Sequence, residues 1–194
     1  MIGRPSLRPA LLAVAAAAVL AVTACTDHGE HAPDPSVTAS SPVGVYNGAD
    51  TAFAQSMIVH HQQALDMTAL AAQRQAGPEV AALAAQIRRA QEPEIATMRR
   101  WLAAWQQPTA APAHDKHAGT GMLTPAQFDQ LRKASGAEFD RLFCELMIMH
   151  HEGAVAMAEK VQADGASTQV EVLATRIIAD QRAEIAKMRA LLKG

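Results

Sequence analysis

The sequence is poor in aromatic residues, in cysteine and in surplus positive charge. Aromatic side chains make up 4% of its 194 residues, there are two cysteines, and 17 Lys and Arg stand against 19 Asp and Glu. Binding to a nucleic-acid backbone is therefore not expected, because it requires a basic surface, and two cysteines exclude a fold held by many disulfides. Hydrophobic residues reach 49%, with abundant alanine, which favours packed helices over a β-sandwich.

Motifs of the common enzyme classes are also missing from the sequence. We find no nucleophile–base arrangement, no phosphate-binding loop and no dinucleotide-binding motif. Hydrolytic or nucleotide-dependent catalysis is therefore not expected, and the first hypothesis is a binding protein rather than an enzyme.

The first 24 residues have the features of a secretory signal. Arg4 and Arg8 precede an unbroken apolar run over residues 10–22, which is short for a bilayer span but right for the core of a signal peptide. Small residues then lead into Cys25, a pattern that resembles a bacterial lipobox. We expect export across the cytoplasmic membrane, cleavage before Cys25 and lipidation of its thiol, which would anchor the protein on the extracytoplasmic face. Ordinary cleavage with an incidental Cys25 is the alternative.

Residues 25–47 are predicted to be a flexible tether between that anchor and a folded domain at 48–194. The segment is rich in Pro, Ser, Thr and Gly and has no apolar period. Within the domain we distinguish a first repeat at 50–105, a linker at 106–134 and a second repeat at 135–194.

The two repeats match without a gap when the sequence is shifted by 90 positions. The first part of the match pairs Asp50, Phe53, Met57, Ile58, His60, His61, Ala64 and Met67 with Asp140, Phe143, Met147, Ile148, His150, His151, Ala154 and Met157. The second part pairs Val80, Leu83, Ala84, Ile87, Gln91, Glu94, Ile95, Ala96, Met98, Arg99 and Leu102 with Val170, Leu173, Ala174, Ile177, Gln181, Glu184, Ile185, Ala186, Met188, Arg189 and Leu192. A gapless match of this density indicates a duplicated unit.

Each repeat is predicted to form a helical hairpin. Apolar residues recur every three or four positions through both segments of each repeat, as in the seam of a bundle. Gly77-Pro78 and Gly165 mark the turns. The expected fold is all-α, a four-helix bundle made of two repeated hairpins with a short extra helix in the linker.

Local signals refine the ends of the helices. Thr124 is predicted to cap the short linker helix, and Ser135 to begin the third long helix with a capping box. Pro93 lies inside the second helix, where we expect a kink rather than an end, because the apolar period continues past it.

Polar residues interrupt the apolar seam at one level. His60 and Glu94 each lie 17 residues from Gly77, so an antiparallel hairpin should bring them face to face, with His61 near Gln91 or Glu94. The second repeat provides the same set around its own turn. Buried imidazole and carboxylate groups cost free energy unless they are paired or bind something. Because nitrogen, oxygen and thioether sulfur hold transition metals, the pattern predicts a metal site.

The predicted metal ligands are His60, His61, His150, His151, Glu94, Glu184, Met57, Met67, Met98, Met147, Met157 and Met188. His60 and His150 are ligands or else core histidines satisfied by a hydrogen bond, whereas His61 and His151, one position off the seam, are ligands or partly exposed. The glutamates are ligands or orient a ligating imidazole. Each methionine alone is best explained as packing, but as a set with the histidines they favour a soft metal.

Histidine pairs in the tether and linker are weaker candidates. His28 and His31, and His114 and His117, have a spacing that can bring two imidazoles to one ion, but two are few for a metal-scavenging tract. Cys144 is predicted to be a buried thiol that packs as a small hydrophobe.

Two long strings, each followed by Gln-x-x-Glu-Ile-Ala-x-Met, resemble the bacterial family of domain of unknown function 305 (DUF305). They are Asp50-x-x-Phe53-x-x-x-Met57-Ile58-x-His60-His61-x-x-Ala64-x-x-Met67 and Asp140-x-x-Phe143-x-x-x-Met147-Ile148-x-His150-His151-Glu152-Gly153-Ala154-x-x-Met157-Ala158. The resemblance covers about residues 46–194. It implies a ferritin-like bundle, secreted or lipid-anchored, and similarity to extracytoplasmic copper metallochaperones that use Met and His. It implicates the four histidines and six methionines named above, although this chain lacks the dense Met runs of copper-scavenging proteins.

Three functions follow as hypotheses. The first is a lipid-anchored extracytoplasmic protein that sequesters copper, as Cu(I) or Cu(II), or exchanges it with a donor or acceptor protein. The second is a ferritin-like enzyme with a dinuclear iron or manganese site, which is weakened by the absence of Glu-x-x-His and the few carboxylates. The third is a metal-free interaction module with buried, paired histidines. The sequence leaves open whether the hairpins pack within one chain or between the copies of a homodimer.

Overall fold

The structure is a computed structural model that describes residues 44–110 and 121–193. Within these ranges it contains helices and no strand, so the all-α prediction is confirmed. The helices are α1 at Gly48–Gln73, α2 at Pro78–Ala104, α3 at Pro125–Lys133, α4 at Gly136–Asp164 and α5 at Thr168–Leu191. The predicted signal, Cys25 and the histidines of the tether and linker lie outside the described residues.

Four long helices form two hairpins, α1–α2 and α4–α5, that contact each other mainly through α1 and α4. The short connections make the partners in each hairpin antiparallel. The short helix α3 lies against α1 and α4, and α2 continues through Pro93 as predicted. Among the described helices, none combines the length and the hydropathy that a bilayer-spanning segment needs.

The core consists of two apolar clusters that use equivalent residues of the two hairpins. The Phe143 cluster contains Ala64, Val80, Leu83, Ile87, Phe143, Met147 and Met188. The Phe53 cluster contains Ala154, Val170, Leu173, Ile177, Phe53, Met57 and Met98, each 90 positions from its equivalent. Along every long helix the buried positions pass from one cluster to the other, and polar residues occupy the level between them.

Each hairpin is tied to the other by an aspartate near the start of its first helix. The Asp140 carboxylate accepts hydrogen bonds from the Gly77 N–H, at 3.1 and 3.0 Å from its two oxygens. Asp50 Oδ2 accepts from the N–H groups of Ala166 and Ser167 at 2.9 and 3.2 Å. Because Gly77 and Ser167 are the N-caps of α2 and α5, each carboxylate satisfies backbone donors at a helix start in the other hairpin and complements that helix dipole.

One of the two predicted N-terminal caps is correct. Thr124 begins α3 with a capping box, as predicted. The capping box at Ser135 is wrong, since its side chain makes no cap hydrogen bond. The next residue, Gly136, instead adopts a left-handed φ of 58°, and its N–H donates to the Arg74 carbonyl at 2.8 Å. A backbone bond to the first hairpin therefore replaces the local cap.

Replacing Asp50 by alanine is expected to lower the free energy of unfolding by about 3 kcal/mol, because buried backbone N–H groups lose a charged acceptor. The matched control is Asp66→Ala on the exposed side of the same helix, which should change it by less than about 0.5 kcal/mol. Urea unfolding followed by circular dichroism measures both variants. Equal effects would show that the tie between the hairpins contributes nothing.

Candidate metal centre

Eight buried polar side chains form a layer across the middle of the core, which we call the histidine layer. Its members are His60, His61, Gln91, Glu94, His150, His151, Gln181 and Glu184, none of them more than 8% exposed. The first helix of each hairpin contributes two adjacent histidines, and the second helix contributes a glutamine and a glutamate three positions apart, hence on one face. Water is thus excluded from side chains that it would normally solvate.

His61 and His151 pair with the two glutamates. The Nε2 atom of His61 lies 2.7 Å from Oε2 of Glu94, and Nε2 of His151 lies 2.8 Å from Oε2 of Glu184. The predicted position of His61 near Gln91 or Glu94 is therefore confirmed, with Glu94 as its partner. Partial exposure of His61 and His151 is wrong, because both are fully buried.

These pairs leave one nitrogen of each ring, Nδ1, without a carboxylate partner. When Nε2–H donates to a carboxylate, the neutral ring carries its lone pair on Nδ1. The Nδ1 atoms of His61 and His151 are buried and have no hydrogen-bond partner among the described residues. A carboxylate on one ring nitrogen and an open lone pair on the other is the arrangement typical of histidines that bind metals.

His60 and His150 meet at the contact between α1 and α4. Their ring centroids are 3.8 Å apart, with the planes inclined by 38°, so imidazoles from the two hairpins are in contact. Both ring nitrogens of His150 are buried without a hydrogen-bond partner in the described part of the chain. Burial lowers the pKa of His150 well below its usual value, and the neighbouring His60 adds to this effect.

Burial therefore favours the neutral form of His150. Burial lowers the pKa of His151 as well, although the hydrogen bond from His151 to Glu184 opposes the shift. Neutral imidazole is the form that binds a metal ion, because the charged form has no free lone pair. The layer can thus accept a cation without first releasing a proton from His150.

Two glutamines of the layer were not among the predicted ligands. The side-chain oxygen and nitrogen of Gln91 and the oxygen of Gln181 are buried without a hydrogen-bond partner among the residues described. Each such atom costs about 1–3 kcal/mol unless it is satisfied, which points to a polar guest, either an ion or ordered water. Glutamine occurs at both of these equivalent positions, 90 residues apart, and this repetition is the sequence signal that could have revealed the role.

The predicted methionines lie on both sides of the layer. Met57 and Met98 belong to the Phe53 cluster, whereas Met67, Met147 and Met188 belong to the Phe143 cluster; all five are fully buried. Met157 is half-buried against the Phe53 cluster. Both apolar clusters that flank the layer therefore contain buried thioether sulfur.

Cys144 behaves as the predicted small hydrophobe. It is buried in the Phe143 cluster, and burial raises the pKa of its thiol to about 11. Its thiol therefore stays protonated at neutral pH, in a form that is neither a strong metal ligand nor a nucleophile.

The charged and imidazole donors alone do not complete a metal site. Within residues 44–110 and 121–193, no three His, Cys, Asp or Glu side chains converge on a point where one ion would contact them all. An ion held here would therefore combine the imidazoles with thioether or amide donors, which favours a soft metal that accepts sulfur and needs few ligands.

Comparison with known proteins gives one family and several solved structures. The profile of the family described as domain of unknown function (DUF305) matches residues 50–192. A DUF305 protein from Streptomyces coelicolor, whose name suggests secretion, is 31% identical with a TM-score of 0.72, covering 75% of this chain and 92% of its own. A DUF305 fragment from Deinococcus radiodurans is 35% identical with a TM-score of 0.69, covering 76% and 97%.

The chain is also similar to the protein CopM. The Cu(II)-bound form of CopM is 35% identical to this chain, with a TM-score of 0.64, and the comparison covers 74% of this chain and 95% of CopM. Its Cu(I)-bound form has a TM-score of 0.62 at the same identity and coverage. No curated protein matches the chain significantly.

The stability of the metal-free protein is expected to fall as the pH drops below about 6.5, where histidines of the unfolded chain begin to take up protons. His150 and His151 have lowered pKa values in the folded state, so protons bind preferentially to the unfolded chain. The loss should approach about 1.4 kcal/mol per pH unit for each histidine that stays neutral. Urea unfolding at pH 7.5, 6.5 and 5.5 after chelator treatment measures the free energy of unfolding. A free energy that stays constant or rises as the pH falls would contradict the lowered pKa values of these histidines.

Proposed function

The chain belongs to the DUF305 family, and from that premise we propose that it is an extracytoplasmic protein that binds copper in the histidine layer. Its role is to sequester copper or to exchange it with a donor or acceptor protein. The observation that carries the proposal is the set of buried imidazole nitrogens that open into the layer without a partner, at His61, His150 and His151. Similarity to CopM, for which Cu(I)-bound and Cu(II)-bound forms are known, supports the choice of metal.

The donor set of the layer fits copper as a cargo. Imidazole suits both oxidation states, and thioether sulfur selects the reduced ion. His60 and His150 are the proposed central ligands, since their rings meet between the hairpins. The buried methionines on both sides, of which Met57 and Met147 lie one helical turn from these histidines, would supply sulfur.

The glutamates are assigned to orientation rather than catalysis. Glu94 and Glu184 each hold one imidazole by a short hydrogen bond, which fixes the ring and strengthens it as a ligand. The layer contains these two carboxylates only, whereas a dinuclear iron or manganese site of a ferritin-like bundle uses four. A binding role without catalysis is therefore the proposed function.

The His–Glu hydrogen bonds also favour a second candidate, a metal-free interaction module. Such bonds satisfy a buried polar pair without any ion. They do not account for His150 or for Gln91, whose polar atoms remain buried without partners. Metal analysis of protein purified from its native compartment separates the two candidates.

The proposed location is the outer face of the cytoplasmic membrane, with lipid on Cys25. The name of the Streptomyces coelicolor relative, which suggests secretion, supports export. The histidine layer is complete within one chain, since His60 and His150 belong to the two hairpins of the same molecule. The proposal therefore does not require the homodimer that the sequence left open.

Replacing His60 and His150 together by leucine is expected to lower the affinity for Cu(I) at least about 100-fold, because the central imidazoles are lost. Competition with a coloured Cu(I) chelator measures the affinity. Circular dichroism of the metal-free variant checks that it is folded, so that a loss of affinity reports the loss of the imidazoles.

The matched control replaces His114 and His117 by leucine, which removes two imidazoles from the linker and none from the histidine layer. This variant should retain the wild-type affinity for Cu(I). Unchanged affinity in the layer variant, or equal losses in both variants, would refute the histidine layer as the copper site.

Replacing Cys25 by alanine is expected to move the protein from the membrane fraction to the soluble extracytoplasmic fraction, because the thiol that would carry the lipid is missing. Metabolic labelling with a fatty acid and fractionation of the producing cells measure this change. A Cys144→Ala variant serves as control and should stay labelled. Membrane association of the Cys25 variant equal to that of the wild type would contradict the lipid anchor.

A further inference from the structure

The two glutamates of the histidine layer differ in how accessible they are from the protein surface. Glu94 lines a surface groove between α2 and α5, together with Trp101, Val172, Arg176 and Asp180. The groove encloses about 350 Å³, which exceeds the volume of several water molecules at about 30 Å³ each. A hydrated ion or a small metal complex therefore fits in it and reaches a carboxylate that contacts His61.

The other glutamate is covered. Gln86 Nε2 donates a hydrogen bond to Glu184 Oε1 at 3.1 Å, so both oxygens of that carboxylate are occupied, one by Gln86 and one by His151. The Glu184 side chain is 4% exposed, compared with 10% for Glu94. Since these glutamates are equivalent in sequence, the difference comes from the residues around them.

One of the differences between the repeats lies directly at this groove. The residue equivalent to Gln86 is Arg176, which lies 90 positions later. Arg176 is exposed and lines the groove instead of covering Glu94. A layer that is nearly symmetric inside the bundle therefore has one glutamate that borders a surface groove, Glu94, and one that is covered by a neighbouring side chain, Glu184.

From this asymmetry we infer that copper enters and leaves the histidine layer through the α2–α5 groove, past Glu94, while Gln86 keeps the opposite side closed. The inference rests on the proposed copper-binding function and adds a route to it. The width of the groove limits the passage of copper in both directions. Blocking the groove should therefore slow the loading and the release of copper by the same factor. The affinity should stay the same because no ligand changes.

The test compares Val172→Trp with Ala82→Trp. Val172 is 57% exposed and lines the groove, and Ala82 is the exposed residue at the equivalent position on the closed side. The probe is Cu(I) exchanged with a coloured chelator, followed by stopped-flow absorbance in both directions, with the affinity measured at equilibrium. Circular dichroism checks that both variants are folded.

We expect Val172→Trp to slow loading and release about tenfold, equivalent to about 1.4 kcal/mol in each barrier, with unchanged affinity, and Ala82→Trp to exchange at the wild-type rate. Adding Gln86→Ala to Val172→Trp should restore fast exchange by uncovering Glu184. Equal rates in the two tryptophan variants would overturn the groove as the route, and failed rescue would overturn Gln86 as the closing residue. A wild-type chain that binds no Cu(I) would instead refute the proposed function itself.

Discussion

The burial of a polar layer in the middle of an apolar bundle is the constraint on which the rest of the structure depends. Antiparallel packing of α1 against α4 brings His60 and His150 into ring contact, and water cannot reach either ring. Desolvation disfavours the imidazolium form of His150 there. A structural bundle would gain stability from leucine at these positions, which makes a bound guest the simplest reason for retaining them.

The ends of the bundle keep that layer in register. Asp50 and Asp140 each bind backbone N–H groups at the loop of the opposite hairpin. Sliding one hairpin along the other by one helical turn, about 5.4 Å, would break the bonds at both ends and move each central histidine towards the methionine or alanine one turn along the facing helix. The end contacts of Asp50 and Asp140 and the alignment of the polar residues therefore favour the same register of the two hairpins. Contacts at the ends of the bundle thus help to fix the spacing of the donors in the layer.

Much of this arrangement could be predicted from the sequence, because periodicity and the 90-residue shift report which residues face inward. The helices, the short linker helix and the buried methionines follow from that signal. It is less precise at single positions: a helix turns by about 100° per residue, so periodicity alone left open whether His61 would contact Gln91 or Glu94. The cap at Ser135 failed for a different reason, since Gly136 makes a tertiary backbone bond to Arg74 that no local pattern contains.

The difference between the two sides of the layer could not be predicted, because it depends on exposed side chains whose conformations the sequence does not restrict. Inside the bundle, His60 contacts its own equivalent, His150. A substitution in one hairpin therefore alters the packing of the other hairpin as well. On the outside no such pairing exists, and Gln86 and Arg176 are free to differ. Selection for a closed and an open side can therefore act on the surface while the buried donors stay matched. A binding layer that must both retain an ion and release it requires this separation, because retention depends on the buried donors and release depends on how the surface covers them.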